Sequence, residues 1–329
     1  MASIHATLPL GLGVADLAAF SRTALDRPLH HAAELLVAVP CDEGLVLGSY
    51  QHASELRGAS VRNLIHHRRG SGGAEARVGP GTVWLQLALA HGAALVPCPP
   101  SRLINRYVRP LLRAITKLGV VAHYFERDWL SGAMRPVGAL SFAHDVSTGR
   151  ASFEAMVAVT TSFAIRARPS NRGKEPATLE ALGMRASPAA VAEAVAAAYE
   201  GAYGTAMGGP SGVEPENRAA GEHDRDPLLD RDEGPPWAAV AEEGIGLVGA
   251  GPDSRGRLRV GGELMVSRDA LARLEDGLAA LSPAAPAESV GALVDATLGA
   301  PGVALFGIGS LRSIRDVVLE ARARHGGET

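Results

Sequence analysis

The run His66–Gly73, with the sequence HHRRGSGG, has the residue types of an anion-binding turn. The paired arginines supply two permanent cations, and Ser71-Gly72-Gly73 supplies backbone N–H groups that large side chains do not obstruct. Such a turn suits a phosphate or a carboxylate, because guanidinium and backbone N–H groups both donate hydrogen bonds to oxyanions. The alternative is an exposed basic hairpin turn without a ligand, and the motif by itself does not separate the two.

Other motifs flank this turn in a characteristic order. They are GLVLGSYQ at 44–51, PGT at 80–82, FERDWLSG at 125–132, RPVG at 135–138, the strand-rich RASFEAMVAVTTSF at 150–163 and ATLEALG at 177–183. Their order and spacing over about residues 10–204 resemble the lipoate–protein ligase family, which is related to biotin–protein ligases and octanoyl transferases. The segment RGRLRVGGELMVSRDALARLEDGLAAL, which starts at 255, resembles the small accessory domain of these ligases.

The resemblance implies an activity and its participants. Ligases of this family use ATP and Mg²⁺ to activate lipoate, or a similar acid, as an acyl-adenylate, and then acylate a lysine of a small acceptor domain. Both steps build negative charge on phosphate or carbonyl oxygen, which fixed cations and oriented N–H groups stabilise. The expected partners are therefore a carboxylic acid such as lipoate and a lipoyl-acceptor domain protein.

The resemblance also assigns roles to residues. Asp128 would orient a cation or Mg²⁺, and Arg135 stands where the family has the lysine that bridges the acyl carboxylate and the phosphate. A tunnel for the acyl chain is expected near Gly48 and Val137. The residues that match the substrate- and adenylate-binding positions are Arg68, Arg69, Ser71, Gly72, Gly73, Gly48, Gln51 and Gly138.

The sequence departs from the family pattern at several of these places. Ala74 replaces a glycine, Val78 a histidine and Thr82 an asparagine. Arg135 keeps a permanent charge and can pair bidentately with a carboxylate or phosphate, but its larger planar head can also fill the pocket. The chain has two lysines, Lys117 and Lys174, and neither stands at the matching position.

Three functions therefore stay open. The first is an ATP-dependent lipoate–protein ligase-like enzyme. The second is a binding or regulatory protein that keeps the ligase fold but does not activate an acid. The third is an ATP-independent octanoyl or lipoyl transferase, which needs a cysteine nucleophile; Cys98 does not match that position.

Composition narrows the class of protein. The 329 residues carry 32 basic and 35 acidic side chains, and this net charge of −3 gives no support for nucleic-acid binding. Two cysteines, Cys41 and Cys98, are too few for a disulfide scaffold. No basic apolar leader and no run of 18 apolar residues occurs, so we expect a cytoplasmic protein without a membrane partner.

The elements that must position these motifs follow from periodicity. Strands are expected at 34–40, 44–50, 61–65, 82–89, 119–125, 244–251 and 256–266, and helices at about 101–118, 188–203, 287–298 and 310–324. Leu271, Leu274, Leu278 and Leu281 mark a further amphipathic helix. This pattern predicts an α+β fold: a mixed-sheet, biotin/lipoate ligase-like catalytic domain at 1–204 and a small α+β accessory domain at 237–329. Residues 205–236 are predicted to be an acidic linker, because 214–233 alone carries eight acidic residues against three arginines.

Overall fold

The computed structural model describes residues 3–53, 64–166, 168–205, 236–282 and 284–326. The N-terminal unit, residues 3–205, contains β1 (Ile4–Thr7), α1 (Val14–Thr23), β2 (Ala33–Ala38), β3 (Gly44–Leu47), β4 (Ile65–Arg68), β5 (Ala76–Val78), β6 (Thr82–Leu89), α2 (Leu103–Lys117), β7 (Ala122–His123), β8 (Trp129–Gly132), β9 (Arg135–His144), β10 (Ala151–Ala158) and α3 (Pro188–Tyr203). The C-terminal unit, residues 236–326, contains β11 (Ala239–Glu243), β12 (Gly246–Pro252), β13 (Leu258–Gly262), β14 (Met265–Val266), α4 (Arg268–Ala280), α5 (Ala287–Leu298), β15 (Leu305–Phe306) and α6 (Leu311–Gly326).

A seven-stranded mixed sheet forms the centre of the N-terminal unit, in the order β1-β2-β6-β10-β9-β8-β7. Only the β1–β2 pair in it is parallel. Alternation along β6 explains how both faces are covered: Val83, Leu85 and Leu87 belong to the core that includes α2 and α3, whereas Trp84 faces the opposite side.

A second layer covers that opposite face. The three-stranded sheet β4-β3-β5 and helix α1 pack there. Val14, Leu17, Val46, Trp84 and Met156 form the core between the layers. This small sheet carries Arg68 at the end of β4, so the glycine turn begins where the two layers meet.

The C-terminal unit packs directly on the N-terminal unit. Its own core lies between the β11-β12-β13 sheet and helices α4 to α6. At the junction, His144 Nδ1 and Ser267 Oγ are 2.9 Å apart, and the backbone N–H of Val146 donates to Asp269 at 2.9 Å. Within the ranges described, no helix combines the length and apolar character needed to span a membrane.

The observed architecture confirms the α+β, mixed-sheet prediction. Strand β6 matches the expected run at 82–89, and α2 and α3 lie within about two residues of the expected helices. The apolar run at 119–125 is different: it forms only the two-residue strand β7, and Val121 is 59% exposed. The predicted linker, apart from residues 205 and 236, lies outside the described residues, so the division into 1–204, 205–236 and 237–329 stays a prediction.

Two local features differ from expectation. Helix α1 was not expected; Asp42 accepts a hydrogen bond from Val14 N at 2.7 Å and so caps its start, from 28 residues away. The strand that leads into the arginines was expected at 61–65, but β4 runs from Ile65 to Arg68. His66 and His67 therefore lie in the strand, and residues 61–63 lie outside the described residues.

Candidate functional site

Arg69 is enclosed by the glycine turn that it begins. Its side chain is fully buried. Its guanidinium donates to the carbonyls of Gly72 and Ala74 at 2.9 and 2.8 Å, and its Nε donates to Ser71 Oγ at 3.0 Å. Burial lowers the pKa of Arg69 to about 10, so the group stays charged at neutral pH. In this arrangement Arg69 stabilises the turn from inside.

Arg68, the residue before Arg69, is also enclosed by protein. It is 1% exposed, and its Nη1 donates to the carbonyls of Gly48 and Gln51 at 2.8 and 2.6 Å. The Gln51 side chain accepts from Gly48 N at 2.9 Å and donates to Glu75 at 2.7 Å. Gly48 and Gln51 are thus tied to the turn through Arg68.

The glycines of the turn lie against backbone, and one of their contacts comes from the C-terminal unit. Gly73 N donates to the carbonyl of Leu264 at 2.8 Å, and Gly72 N donates to that of Phe142 at 2.9 Å. A Cβ at Gly72 would lie 2.1 Å from the Leu264 oxygen, and one at Gly48 would lie 1.9 Å from the Gly73 oxygen. Only glycine permits these approaches, since real Cβ atoms do not come so close to backbone.

A buried ionic cluster joins the turn to the C-terminal unit. Arg166 contacts Glu75 at 2.6 Å and Glu263 at 2.9 Å. Arg168 contacts Asp128 at 2.6 Å and Glu263 at 2.7 Å. Four of the five side chains are at most 4% exposed, and that of Arg166 is 24% exposed. Two arginines therefore hold three carboxylates, one of which comes from the C-terminal unit.

The two glutamates of the cluster titrate in opposite directions. Burial raises the pKa of Glu263 to about 7 and Glu75 adds to the rise, although the charge of Arg168 opposes it. Burial also disfavours ionised Glu75, but the hydrogen bond from Arg166 and the charge of Arg168 outweigh it, so the pKa of Glu75 is lowered. The cluster therefore favours a proton on Glu263 over one on Glu75.

A pocket of about 400 Å³ adjoins this cluster, and we call it the cationic pocket. It is lined by both arginines of the cluster, and by Asn171 and Lys174. Arg168 Nε, Arg168 Nη1 and Asn171 Oδ1 are buried and have no hydrogen-bond partner among the described residues. Lys174 likewise has no ion-pair or hydrogen-bond partner for its ammonium within the described ranges. Unsatisfied donors and a free cation around one cavity suit an anionic ligand.

Solved structures identify the fold. P. falciparum LipL1 in complex with lipoate matches with a TM-score of 0.61 at 10% identity, and the match covers 97% of this chain and 100% of the other. This chain has the lipoate/biotin protein ligase-like fold.

Two other solved structures match less closely. A bipartite lipoate protein ligase from Thermoplasma acidophilum has a TM-score of 0.46 at 12% identity, over 61% of this chain and 83% of the other. Lipoate-protein ligase A bound with ATP has a TM-score of 0.46 at 14% identity, over 61% and 85%. No protein-family model and no curated protein matches the sequence.

Within this ligase-like fold, Arg135 is directed at backbone. Its Nε donates to the Glu175 carbonyl at 3.0 Å and its Nη2 to the Pro176 carbonyl at 2.9 Å. Glu175 and Pro176 both line the cationic pocket, so their hydrogen bonds with Arg135 support the pocket wall. These bonds also help to position Lys174, which directly precedes Glu175. Pro136 pairs with Ser131 beside a register shift in β8, which accommodates its missing N–H.

The structure brings most of the predicted site residues together. Arg68, Arg69, Ser71, Gly72, Gly73, Gly48 and Gln51 form one hydrogen-bonded cluster, and Glu75 links it through Arg166 and Glu263 to Arg168, which holds Asp128. Gly138 is separate from these contacts: it lies inside β9, where a Cβ would be 2.7 Å from the Met156 carbonyl. Val137 is buried in the core with α2 and α3, and Gly48 lies against Gly73, so protein encloses both expected tunnel positions. The binding roles of these residues stay predictions.

Sequence reasoning missed the lining of the cationic pocket. Arg166, Arg168, Asn171 and Lys174 follow the end of β10 within the run RARPSNRGK. The closely spaced arginines there were a usable signal, because two permanent cations near each other can hold carboxylates or an anionic ligand. Glu263 offered no such signal, since it is 95 residues from Arg168 in the chain.

Cys98 has the environment of a structural thiol. It packs against the main core and its Sγ lies 3.8 Å from the Gly92 carbonyl. Burial raises the pKa of the Cys98 thiol, which lowers its fraction of nucleophilic thiolate. This environment disfavours the cysteine-dependent transferase.

Proposed function

We propose that the protein is a lipoate–protein ligase-like enzyme that uses ATP to activate lipoate or a similar carboxylic acid and transfers the acyl group to an acceptor lysine. In this proposal, residues 1–204 form the catalytic domain and 237–329 an accessory domain that completes the ionic cluster through Glu263. The similarity of fold to lipoate-bound LipL1 over both units supports this reading.

The cationic pocket is the observation that carries the proposal. Acid activation brings a carboxylate and a phosphate together, and their combined negative charge needs fixed cations. Arg168 and Lys174 both line the pocket, and two donor atoms of Arg168 have no hydrogen-bond partner among the described residues. In this proposal, Lys174 provides the ammonium that the family places at the position of Arg135. The segment that carries Lys174 is held by the hydrogen bonds from Arg135.

The donor set suits Mg²⁺ only as part of MgATP. Within the described ranges no group of three or more His, Cys, Asp or Glu side chains is arranged to hold a metal ion. Mg²⁺ bound to nucleotide phosphates keeps several waters and needs one or two protein carboxylates at most. Bound ATP would supply the leaving group for acid activation, while the arginines and Lys174 of this chain hold the charge.

A second candidate is a binding or regulatory protein with the ligase fold and no acid activation. One observation favours it: every contact of the Arg69 guanidinium and of the Gly72 and Gly73 N–H groups described above is to protein. These N–H groups of Gly72 and Gly73 are therefore occupied by protein carbonyls while the two units stay packed.

Pyrophosphate release from lipoate and MgATP distinguishes the two candidates. The full chain should release pyrophosphate, and Lys174→Met should reduce the rate by about tenfold or more, because it removes one transition-state charge contact. Lys117→Met is the matched control, since Lys117 is exposed on α2 and does not line the cationic pocket. No release from the wild-type chain, together with measurable binding of lipoyl-adenylate, would support the second candidate.

A further inference from the structure

Lysine is scarce in this chain, and its two lysines have different surroundings. Lys117 is exposed at the end of α2 and does not line the cationic pocket. Lys174 is half-buried and lines that pocket together with Arg166 and Arg168. Of the described residues that line the pocket, Lys174 is therefore the one that carries a primary amine.

The backbone at Lys174 is held in place. Its N–H donates to the Asn171 carbonyl at 3.0 Å, and Arg135 holds the carbonyls of Glu175 and Pro176, the next two residues. Its ammonium, by contrast, has no ion-pair or hydrogen-bond partner within the described ranges. An extended lysine side chain spans roughly 6 Å from Cα to nitrogen. A sphere of the pocket's volume, about 400 Å³, is about 9 Å across, so the amine can reach most of the cavity from this fixed base.

The pocket lining combines cations with apolar side chains. Besides the two arginines, Ala164, Ile165 and Pro176 line it. Ile165 also packs against the buried Leu45 and Leu47. Fixed cations suit the phosphate and carboxyl end of an acyl-adenylate, and apolar side chains suit its hydrocarbon chain. The same cavity therefore suits the acyl group both before and after its transfer to an amine.

We propose that the protein acylates its own Lys174 in the cationic pocket when no acceptor domain takes the acyl group. This inference rests on the proposed function, because that function supplies the acyl-adenylate. In the step, the Lys174 ammonium first loses a proton to solvent, and its nitrogen then bonds to the acyl carbon. The bond from that carbon to the phosphate oxygen breaks, AMP leaves with the electron pair, and solvent takes the second proton from nitrogen. An amine tethered beside the acyl group reacts as an intramolecular partner, far faster than an amine in solution.

The modified pocket differs from the original in charge and in free volume. The amide is neutral, so the pocket loses the cation of Lys174 while Arg166 and Arg168 keep theirs. The attached acyl chain also fills space in the cavity that Ala164 and Ile165 line. Both changes weaken the binding of a second acyl-adenylate. Self-acylation thus switches off a chain that makes acyl-adenylate without an acceptor.

Mass spectrometry of the full chain tests this site, because only two lysines compete for the label. The protein is incubated without an acceptor domain, in one arm with lipoate and MgATP and in the other with synthetic lipoyl-adenylate. Peptide mass mapping should place one lipoyl group on Lys174, at an occupancy at least about tenfold above that on Lys117. Lys174→Arg keeps a cation at this position but forms no stable amide, so its peptide should remain unlabelled.

Three results would overturn the proposal. Equal labelling of Lys117 and Lys174 would mean that released adenylate reacts in solution. Absence of label on Lys174 in both arms would mean that its amine does not reach the acyl carbon. Labelled protein, freed of small molecules, should bind lipoyl-adenylate about tenfold more weakly than untreated protein. Unchanged affinity would place the label outside the cationic pocket.

Pyrophosphate release in the first arm reports separately on the proposed function. Label on Lys174 from synthetic adenylate, without pyrophosphate release in the first arm, leaves the self-acylation site standing and refutes acid activation. Pyrophosphate release without label on Lys174 in either arm refutes the self-acylation site alone.

Discussion

Replacing Glu263 by glutamine should change how the stability of the protein depends on pH. Glu263 is the carboxylate by which the C-terminal unit contacts both Arg166 and Arg168, and a third charged group, Glu75, faces it across Arg166. A Cβ at Gly246 would lie 1.6 Å from Glu263 Oε2, so the glycine leaves room for this carboxylate. Glutamine keeps the shape of the side chain but cannot ionise.

The magnitude follows from the raised pKa. Glu263 titrates near 7 when folded, against 4.5 for an ordinary glutamate, and this difference corresponds to about 3 kcal/mol. Because the folded pKa lies above the unfolded one, the stabilisation by the proton on Glu263 is complete below pH 4.5 and is lost as the pH rises through 7. The glutamine variant does not lose it. Its unfolding free energy relative to wild type should therefore rise by about 2–3 kcal/mol from pH 5 to pH 8.

Urea unfolding at pH 5 and pH 8, followed by tryptophan fluorescence, measures this change. A constant offset between the proteins is expected from the altered contacts with the arginines, so the informative quantity is how their difference varies with pH. Glu193→Gln, at an exposed position on α3, should show no such variation. If the Glu263→Gln difference is the same at both pH values, or falls from pH 5 to pH 8, the assignment of the raised pKa is wrong.

Two further predictions concern the glycine turn. Gly72→Ala should destabilise the protein by about 1–3 kcal/mol, because its Cβ would meet the Leu264 carbonyl. The control is Gly201→Ala in α3, where the Cβ meets nothing within 4 Å; it should stabilise the protein by about 0.5–1 kcal/mol. Equal melting temperatures of the two variants would contradict the close approach at Gly72. Arg69→Met should lower the free energy of unfolding in urea by about 3–5 kcal/mol, since the Gly72 and Ala74 carbonyls lose buried donors. A decrease below about 1 kcal/mol would show that the guanidinium is not needed inside the turn.

The sequence predicted the framework well where patterns are local. Alternation along Thr82–Leu89 and the i+4 spacing of Leu103, Tyr107, Leu111 and Ile115 follow directly from which face is buried, and the structure has both elements. The motif order also led to the correct fold. At 119–125 the alternation is also present, with Val120 and Ala122 buried and Val121 exposed, but only Ala122 and His123 pair with β8, so the strand is much shorter than its pattern predicts.

The direction of a charged side chain was not predictable in the same way. Whether Arg69 faces a ligand or its own turn depends on where the Gly72 and Ala74 carbonyls lie, and the packing of Gly73 against Leu264 helps to set that geometry. The motif contains no information about Leu264. A sequence motif therefore located the turn, while the tertiary contacts determined what its cations touch.

Arg135 is held by contacts with protein backbone, and this affects how its replacement of the family lysine is interpreted. An arginine at position 135 departs from the family pattern, because its planar head is larger than the ammonium of a lysine. In the structure, Arg135 uses two fork donors to hold the Glu175 and Pro176 carbonyls, a task that its planar geometry suits better than an ammonium does. The adjacent Lys174 lines the cationic pocket without a partner among the described residues. The absence of a lysine at position 135 is thus compatible with a lysine in the cationic pocket, namely Lys174. This requires that the pocket wall held by Arg135 keeps its geometry.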